Sequence, residues 1–344
     1  MLRVLLLPFS LLYGGILWLR HFWYDSRSDA SWEIPVKSLV IGNLCLGGSG
    51  KTPFSIWVGE KLAAHYRVGY LSRGYGRKSR GFQWVDLQQS PSQTGDEPRL
   101  VKEALPQVPV AVCEDRKTGI ETMLQEHPEL QLLVLDDAMQ HRKVQPGMLG
   151  VLIPWSDLQG HRWLVPAGNQ RDLWARRLKG DFIVITKCPT LPQSGVRKQV
   201  LESLAPFPAE RVFWSGLRYR GIRSFDGKST LEWDSLSGET VIFITAIANA
   251  QPILDAWPGK GPEVHLKYRD HHAFDAADLA TVVEKQRMFA GRAKVVCTSK
   301  DRVKLAALLD LHAQQSWFEI EVEPYFDREA ELEKLIIDYV EGTT

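Results

Sequence analysis

Cysteine is scarce in this chain of 344 residues: Cys45, Cys113, Cys188 and Cys297 stand far apart, with no CxxC pair and no Cys/His ligand spacing. That excludes a disulfide scaffold and a zinc site, and predicts reduced, mostly buried thiols in a cytosolic compartment. An excess of charge of one sign is also missing. A formal net charge of +1 excludes a nucleic-acid binder held by bulk electrostatics. No internal repeat or low-complexity tract is present, and no apolar run reaches the ~20 residues that a membrane-spanning helix needs. Apolar content of 44% and charged content of 24% are ordinary for a globular protein, and the length suffices for two cores. Tryptophan is abundant, at 12 residues, and most are expected in cores or domain contacts.

One stretch is compositionally anomalous. Val4 to Leu19 is almost wholly apolar, interrupted by Pro8, Ser10 and Gly14-Gly15, and flanked by Arg3 and by Arg20-His21-Phe22-Trp23-Tyr24. It is too short to span a bilayer, and no small-x-small cleavage site follows it as a signal peptide requires. The aromatic and basic flank suits a lipid headgroup region, so the expectation is a monotopic anchor, residues 1–24, on the cytosolic face of a membrane. A single span and a buried core helix are the alternatives.

The most informative run is Cys45-Leu46-Gly47-Gly48-Ser49-Gly50-Lys51-Thr52, directly after the strand-like Ser38–Ile41. A strand, a Gly-rich turn and Gly-Lys-Thr opening a helix form a phosphate-binding loop. The glycines let backbone N–H groups converge on phosphate oxygens, the Lys charge meets the β/γ-phosphates, and the Thr hydroxyl ligates Mg²⁺. Cys45 stands where the strict pattern has Gly; a plain Gly-rich connection is the alternative. A second run, Leu132–Leu135, reads as a buried parallel strand ending in Asp136-Asp137. A carboxylate at such a tip, beside a phosphate-loop strand, is placed to hold the metal, although an Asp pair also caps helices and turns.

Around these motifs, strands and amphipathic helices alternate. Strands are expected at Ser38–Ile41, Val68–Ser72, Val110–Val112, Leu132–Leu135, Gly150–Ile153 and Phe182–Thr186, with helices near Thr52–His65, Glu97–Ala104 and Thr118–Glu126. A second set comprises Val241–Thr245, Glu263–Leu266 and Lys294–Thr298, and Arg211–Arg218 with Ser224–Trp233 reads as a hairpin or linker strands. The pattern predicts an α/β protein: a parallel-sheet P-loop domain over residues 25–210, then a smaller α/β domain over 211–344. Asp96, in Gly95-Asp96-Glu97-Pro98, is a candidate base and equally a good helix cap. The cations of Arg73-Gly74-Tyr75-Gly76-Arg77, with Arg116 and Arg171, suit an anionic acceptor, and each also suits a solvated surface. Adjacent His271 and His272 diverge too far to share a metal ion.

These segments together resemble the tetraacyldisaccharide 4′-kinase family, the lipid A 4′-kinases of Gram-negative bacteria. The resemblance runs through Gly42-Asn43, Gly47-Gly48-Ser49-Gly50-Lys51-Thr52-Pro53, Ser72-Arg73-Gly74-Tyr75-Gly76-Arg77, Gly95-Asp96-Glu97-Pro98 and Leu135-Asp136-Asp137-Ala138-Met139-Gln140-His141. It continues in Pro166-Ala167-Gly168, Thr245-Ala246-Ile247-Ala248-Asn249, Asp270-His271-His272-Ala273-Phe274 and Thr298-Ser299-Lys300-Asp301. The family usually has Gly-Phe at Ala138-Met139, Leu-Arg-Glu at Gln170-Arg171-Asp172 and Glu at Ser299; none of these departures removes a charge from the expected metal or phosphate site.

The resemblance implies an ATP- and Mg²⁺-dependent kinase of a membrane-embedded, acylated glucosamine disaccharide 1-phosphate, with no nucleic acid and no obligate protein partner. Residues 45–52 would bind ATP, with Lys51 also catalytic; Thr52, Asp136 and Glu97 would hold the metal. Asp96 would act as base, with His271 orienting it across the cleft. Arg73, Gly74, Tyr75, Arg116, Asp137, Gln140, His141 and Arg171 would meet the acceptor. A kinase of a soluble metabolite and a P-loop switch without an acceptor remain the rivals.

Overall fold

Leu39, Val40 and Ile41 are apolar on both faces, and a strand of that kind is stable only in the middle of a covered parallel sheet. The computed structural model, which describes residues 2–27, 29–270, 272–310 and 313–343, places them there. Strand β1 (Lys37–Asn43) is buried from Ser38 onward. The first part of the chain continues with β2 (Val68–Ser72), β3 (Gln83–Trp84), β4 (Val110–Val112), β5 (Leu132–Asp136), β6 (Met148–Pro154) and β7 (Phe182–Cys188). The second part adds β8 (Val212–Ser224), β9 (Thr230–Glu232), β10 (Val241–Thr245), β11 (Val264–Lys267), β12 (Lys294–Thr298) and β13 (Trp317–Phe326). All join one 13-stranded sheet in the order β11-β10-β12-β13-β8-β7-β6-β1-β5-β2-β4-β3, with β9 on β8.

The register brings chemistry to one end. Strand β1 lies parallel between β5 and β6, with Ile41 opposite both Asp136 and Gly150. Ligands of open α/β sheets bind beyond such carboxyl ends. Helices α2 (Lys51–Ala63), α3 (Asp96–Ala104) and α4 (Arg116–Glu126) cover this part, and two apolar cores fill the faces, one around Leu135 and Ile185 and the other around Leu39 and Phe54.

The junction near residue 211 is crossed by the sheet itself. Strand β8 runs parallel to β7 from Val212 to Gly216 and antiparallel to β13 from Ser215 to Ser224; its far end, Gly221–Arg223, forms a hairpin with β9, so the segment Arg211–Arg218 expected in a hairpin or linker instead joins the main sheet. Helix α5 (Ser194–Leu204) precedes β8, and α6 (Ala276–Met288) and α7 (Ser299–Leu305) follow it. Strand β13 and helix α8 (Glu329–Glu341) are elements that the sequence patterns did not reveal. Helix α8 returns to the first part: Leu332 and Ile336 enter the core of Phe54 and Val58, and Glu329 accepts from Trp57 Nε1 at 3.0 Å.

The apolar N-terminal stretch forms α1 (Leu7–Asp25) after a short turn at Leu2–Leu5. Pro8 falls in its first turn, where a missing N–H costs nothing, so it does not break the helix. At ~1.5 Å per residue, α1 is about 28 Å long. One stripe, Ser10, Leu17 and His21, is buried. Tyr13, Gly14 and Tyr24 are half-buried beside it, and most of the rest is exposed, with Leu11 at 76% and Leu12 at 67%. Among the described residues, no helix is long and apolar enough to cross a membrane.

Gly150 tests the tightness of this packing. A Cβ there would lie 2.5 Å from the Phe182 ring, which is fully buried. Gly150→Ala is expected to destabilise the protein by about 1–3 kcal/mol through overpacking, read as a lowered urea midpoint. An unchanged midpoint would mean that the ring has room to move.

Candidate active site

The loop between β1 and α2 is shaped by two glycines. Gly47 has φ +93° and Gly50, the N-cap of α2, has φ +80°, a region that residues with a Cβ occupy at a cost. Cys45 needs no such freedom: its φ is negative, its backbone bridges to Gln170, and its side chain is buried. Burial above all, then Asp157, pushes its thiol up to about 12. It therefore stays protonated as a small apolar residue, which accounts for Cys at the first loop position. Asn43 Nδ2 donates to Cys45 O at 2.8 Å, and Thr186 Oγ1 donates to Ser49 O at 2.8 Å, so strand tips on both sides hold the loop.

At the tip of β5 the two aspartates have opposite environments. Asp136 is 2% exposed; its Oδ2 accepts from Ser72 Oγ at 3.4 Å, and its Oδ1 has no partner. Burial is the main reason that its pKa rises to about 6, with Lys51 opposing and the Glu97 and Asp137 charges adding to the rise. Asp137 sits in a left-handed turn at φ +51°. Burial works to raise its pKa, but Arg171 hydrogen bonds, then the Lys51 and Arg171 charges, hold it well below the usual carboxylate range. Arg171 grips it with both nitrogens, Nη1 reaching Oδ2 at 3.0 Å and Nη2 reaching Oδ1. Lys51 Nζ is 3.5 Å from Asp137 Oδ1 and donates to Asn43 Oδ1 at 3.3 Å.

The donors around Asp136 fit a hard divalent cation. Thr52 is buried in the first turn of α2, and Glu97 influences the Asp136 charge through space. A hydroxyl and two carboxylates are an all-oxygen set of the kind Mg²⁺ takes, with phosphate and water completing it. The unpartnered Asp136 Oδ1 is the observation that a cation would satisfy. Glu97 is also paired with Lys300 of α7, an ion pair that joins the two parts of the chain.

The expected acceptor residues divide by position. Asp96 opens α3 after Gly95, whose φ is +94°, and Lys300 feels the charges of Glu97, Asp96 and Asp270 together. His271 lies outside the described residues. Gly74, at φ +69°, brings the 73–77 loop against Thr94 O, 3.0 Å from where its Cβ would be, and Tyr75 is exposed. Arg116 is buried and donates to Cys113 O at 2.6 Å and Asp136 O at 2.9 Å, so its guanidinium ties the tips of β4 and β5 together. Arg73 and His141 flank Arg116: burial and then the Arg116 charge lower the His141 pKa, and Arg73 contributes. Gln140 Nε2 donates to Asn43 O at 2.9 Å and to Asp172 Oδ2 at 3.1 Å.

Several residues at this site were given no site role from the sequence: Asn43, Asp172, Lys187 and His21. Helix α1 lies along the wall. Ser10 Oγ donates to Leu164 O at 2.8 Å, Tyr13 Oη to Arg171 O at 2.9 Å and Arg20 Nη2 to Gln140 O at 2.7 Å. His21 Nε2 lies 2.7 Å from Asp172 Oδ1. Arg142 Nη1 donates to His21 Nδ1 at 3.2 Å, which leaves Nε2 as the proton donor to Asp172. Lys187 carried a usable signal, since it follows the apolar run of β7 just as Asp136 ends that of β5.

The raised Asp136 pKa has a thermodynamic consequence. The folded protein keeps that proton to about pH 6, whereas an unfolded chain loses it near pH 4. With no cation bound, stability from this group therefore falls as pH rises through that window and stays low above it. In the presence of chelator, Asp136→Asn is expected to raise the melting temperature at about pH 7.5 by several degrees, with the gap closing toward about pH 4.5. Thermal denaturation at both pH values checks this. A gap that is equal at the two would remove the buried charge as its cause.

Comparison with known proteins gives one answer. The chain matches the family described as Tetraacyldisaccharide-1-P 4'-kinase over residues 2–341. A tetraacyldisaccharide 4'-kinase of Cytophaga hutchinsonii is 34% identical over 326 residues, covering 94% of this chain and 91% of that protein. One of Flavobacterium psychrophilum is 30% identical over 346 residues, covering 100% of this chain and 98% of the relative. A crystal structure of LpxK from Aquifex aeolicus in complex with ATP superposes with a TM-score of 0.75 at 28% identity, covering 99% of this chain and 100% of that one. Matched from end to end in sequence and in fold, the chain belongs to the tetraacyldisaccharide-1-P 4'-kinase family.

Proposed function

We propose that this protein transfers the γ-phosphate of ATP to the 4'-hydroxyl of a tetraacylated glucosamine disaccharide 1-phosphate, a step of lipid A biosynthesis, at a membrane surface. The observation that carries the reading is the full-length family match combined with an intact phosphate loop beside a buried, half-unpartnered Asp136. The decisive assay is label transfer from ATP to the lipid disaccharide.

In this reading the loop amides of residues 45–52 and the Lys51 ammonium hold the β/γ-phosphates, and Thr52, Asp136 and Glu97 hold Mg²⁺. The bound metal supplies charge neutralisation on the phosphate oxygens. Asp137 keeps Lys51 and Arg171 in place through the contacts described above. Asp96 takes the proton of the acceptor hydroxyl, whose oxygen bonds to the γ-phosphorus as the bond to the β-bridging oxygen breaks and ADP leaves. His271 orients Asp96. Arg73, Gly74, Tyr75, Gln140 and His141 line the acceptor side, and Arg116 supports it from behind.

The membrane contact rests on α1. Its outer face presents Phe9, Leu11, Leu12, Ile16, Trp18, Leu19 and Phe22 to solvent, while its inner face is hydrogen-bonded to the site wall. An apolar face of this extent marks an interaction surface, and a substrate anchored by acyl chains requires the enzyme to work at the bilayer. A cytoplasmic-face, peripheral location on the inner membrane follows from the ATP requirement. The working units of this reading are the anchor (1–24), the P-loop domain (25–210) and the smaller domain (211–344), which supplies Lys300.

Lys51→Ala is expected to reduce transfer by orders of magnitude, and Asp96→Asn to cost roughly 10²-fold in kcat with ATP affinity nearly unchanged. A normal kcat in Asp96→Asn would move the base elsewhere. For the anchor, deleting residues 1–23 is not a clean test, because it also removes the His21–Asp172 contact. The combined Leu11→Glu, Leu12→Glu and Trp18→Glu variant spares that face. It is expected to leave the membrane fraction and to raise the apparent KM for lipid about tenfold or more, with kcat largely kept. Full retention on membranes would place the attachment on another surface.

A further inference from the structure

Lys187 combines two unfavourable features at one residue. It stands at the tip of β7 with φ +57°, a left-handed conformation that costs about 1 kcal/mol or more for a residue with a Cβ. Its ammonium also has no ion-pair partner among the described residues. Lys51 has Asp137 and Lys300 has Glu97, whereas among the described residues Lys187 makes no ion pair or hydrogen bond. Burial first, and then the Lys300 charge, lower its pKa, with Lys51 adding to the effect and Asp270 opposing it. Charged groups held this way without a partner are costly and mark sites where an ion of opposite sign binds.

The position of the ammonium names that ion. A Cβ built on Gly48 would lie 3.2 Å from Lys187 Nζ, so the side chain reaches over the middle of the phosphate loop. The neighbouring Thr186 fixes the strand tip to the same loop through Ser49 O at 2.8 Å. A Cβ at position 48 would occupy the space into which the ammonium projects, which gives this glycine a reason beyond backbone freedom.

We infer that Lys187 is a second lysine on the phosphate chain of the bound nucleotide, reaching over the loop at Gly48 and adding its charge to that of Lys51. This rests on the loop's role as the ATP site. The contact offsets both the strained backbone and the unpaired charge, and it explains why a lysine occupies a position where the backbone conformation favours glycine. An alternative role is packing alone, with the aliphatic stem covering the loop.

ATP binding by calorimetry, at several salt concentrations, separates these roles in Lys187→Met, Lys187→Gly and Lys51→Ala. Lys187→Met keeps the length of the stem and removes the charge; it is expected to weaken ATP binding by about 10- to 100-fold, the range for a charged hydrogen bond. The salt dependence of binding should become shallower, because one charge contact is lost. Lys187→Gly should weaken ATP to a similar extent and raise the melting temperature of the nucleotide-free protein, since it relieves both strain and buried charge. ATP affinity within about twofold of wild type, an unchanged salt dependence, or a lowered melting temperature in Lys187→Gly would overturn the inference in favour of packing. If Lys51→Ala also bound ATP normally, the loop assignment itself would fail; a loss in Lys51→Ala with none in Lys187→Met would refute only the role of Lys187.

Discussion

A carboxylate that is 2% exposed, with one oxygen left without a donor, is a free-energy liability, and the site is organised around carrying it. Asp136 lies at the end of a strand whose other residues are Leu and Val, so its charge cannot reach water without undoing the sheet. Relief comes from cations at fixed distances: Lys51 from the loop and Arg116 from behind. Asp137, one residue on, turns by way of φ +51° and takes Arg171 and Lys51 as partners. The pair therefore divides its labour. Asp137 is kept ionised between two cations, whereas burial pushes Asp136 up to about 6 and leaves one of its oxygens without a donor.

The parallel sheet makes this arrangement possible. Its central strands end together, so residues far apart in the chain meet within a few ångströms, and loops need only short spans to converge. The second part of the chain contributes through α7. Besides Lys300–Glu97, Arg302 pairs with Glu103 of α3 and with Glu319 of β13 at 3.0 Å. Helix α3, which starts with Asp96, is thus clamped along its length by the other half of the molecule.

How much of this could be read beforehand depended on whether the signal was local. The phosphate loop, the strand before it and the Asp136 tip were legible because each is a contiguous pattern: an apolar run, then glycines or a carboxylate. The strands Val68–Ser72, Val110–Val112, Val241–Thr245 and Lys294–Thr298 were expected with the bounds observed. Strand β13 was overlooked although Phe318-Glu319-Ile320-Glu321-Val322-Glu323 alternates at the period of a half-buried strand. Arg116 was expected as an anion-binding candidate, with a solvated surface as the alternative, but its burial across two strand tips becomes visible only in the fold. The contacts of His21 with Asp172, 151 positions apart, depend on tertiary docking and leave no trace in local spacing.

Ser10, Tyr13 and His21 are each hydrogen-bonded to the site wall, and at ~1.5 Å per residue the outer two lie about 16 Å apart along α1. Three attachments over that span prevent the helix from pivoting on the body of the protein. On the proposed membrane contact, the depth to which the outer face sinks into lipid would set the height of the loop above the bilayer, because the two surfaces belong to one rigid piece. For an enzyme held at constant height, encounter with a membrane-bound acceptor is a two-dimensional search. The quantity that governs how often the site fills is the number of acceptor molecules per unit area of membrane, and the volume of the surrounding solution drops out of the problem.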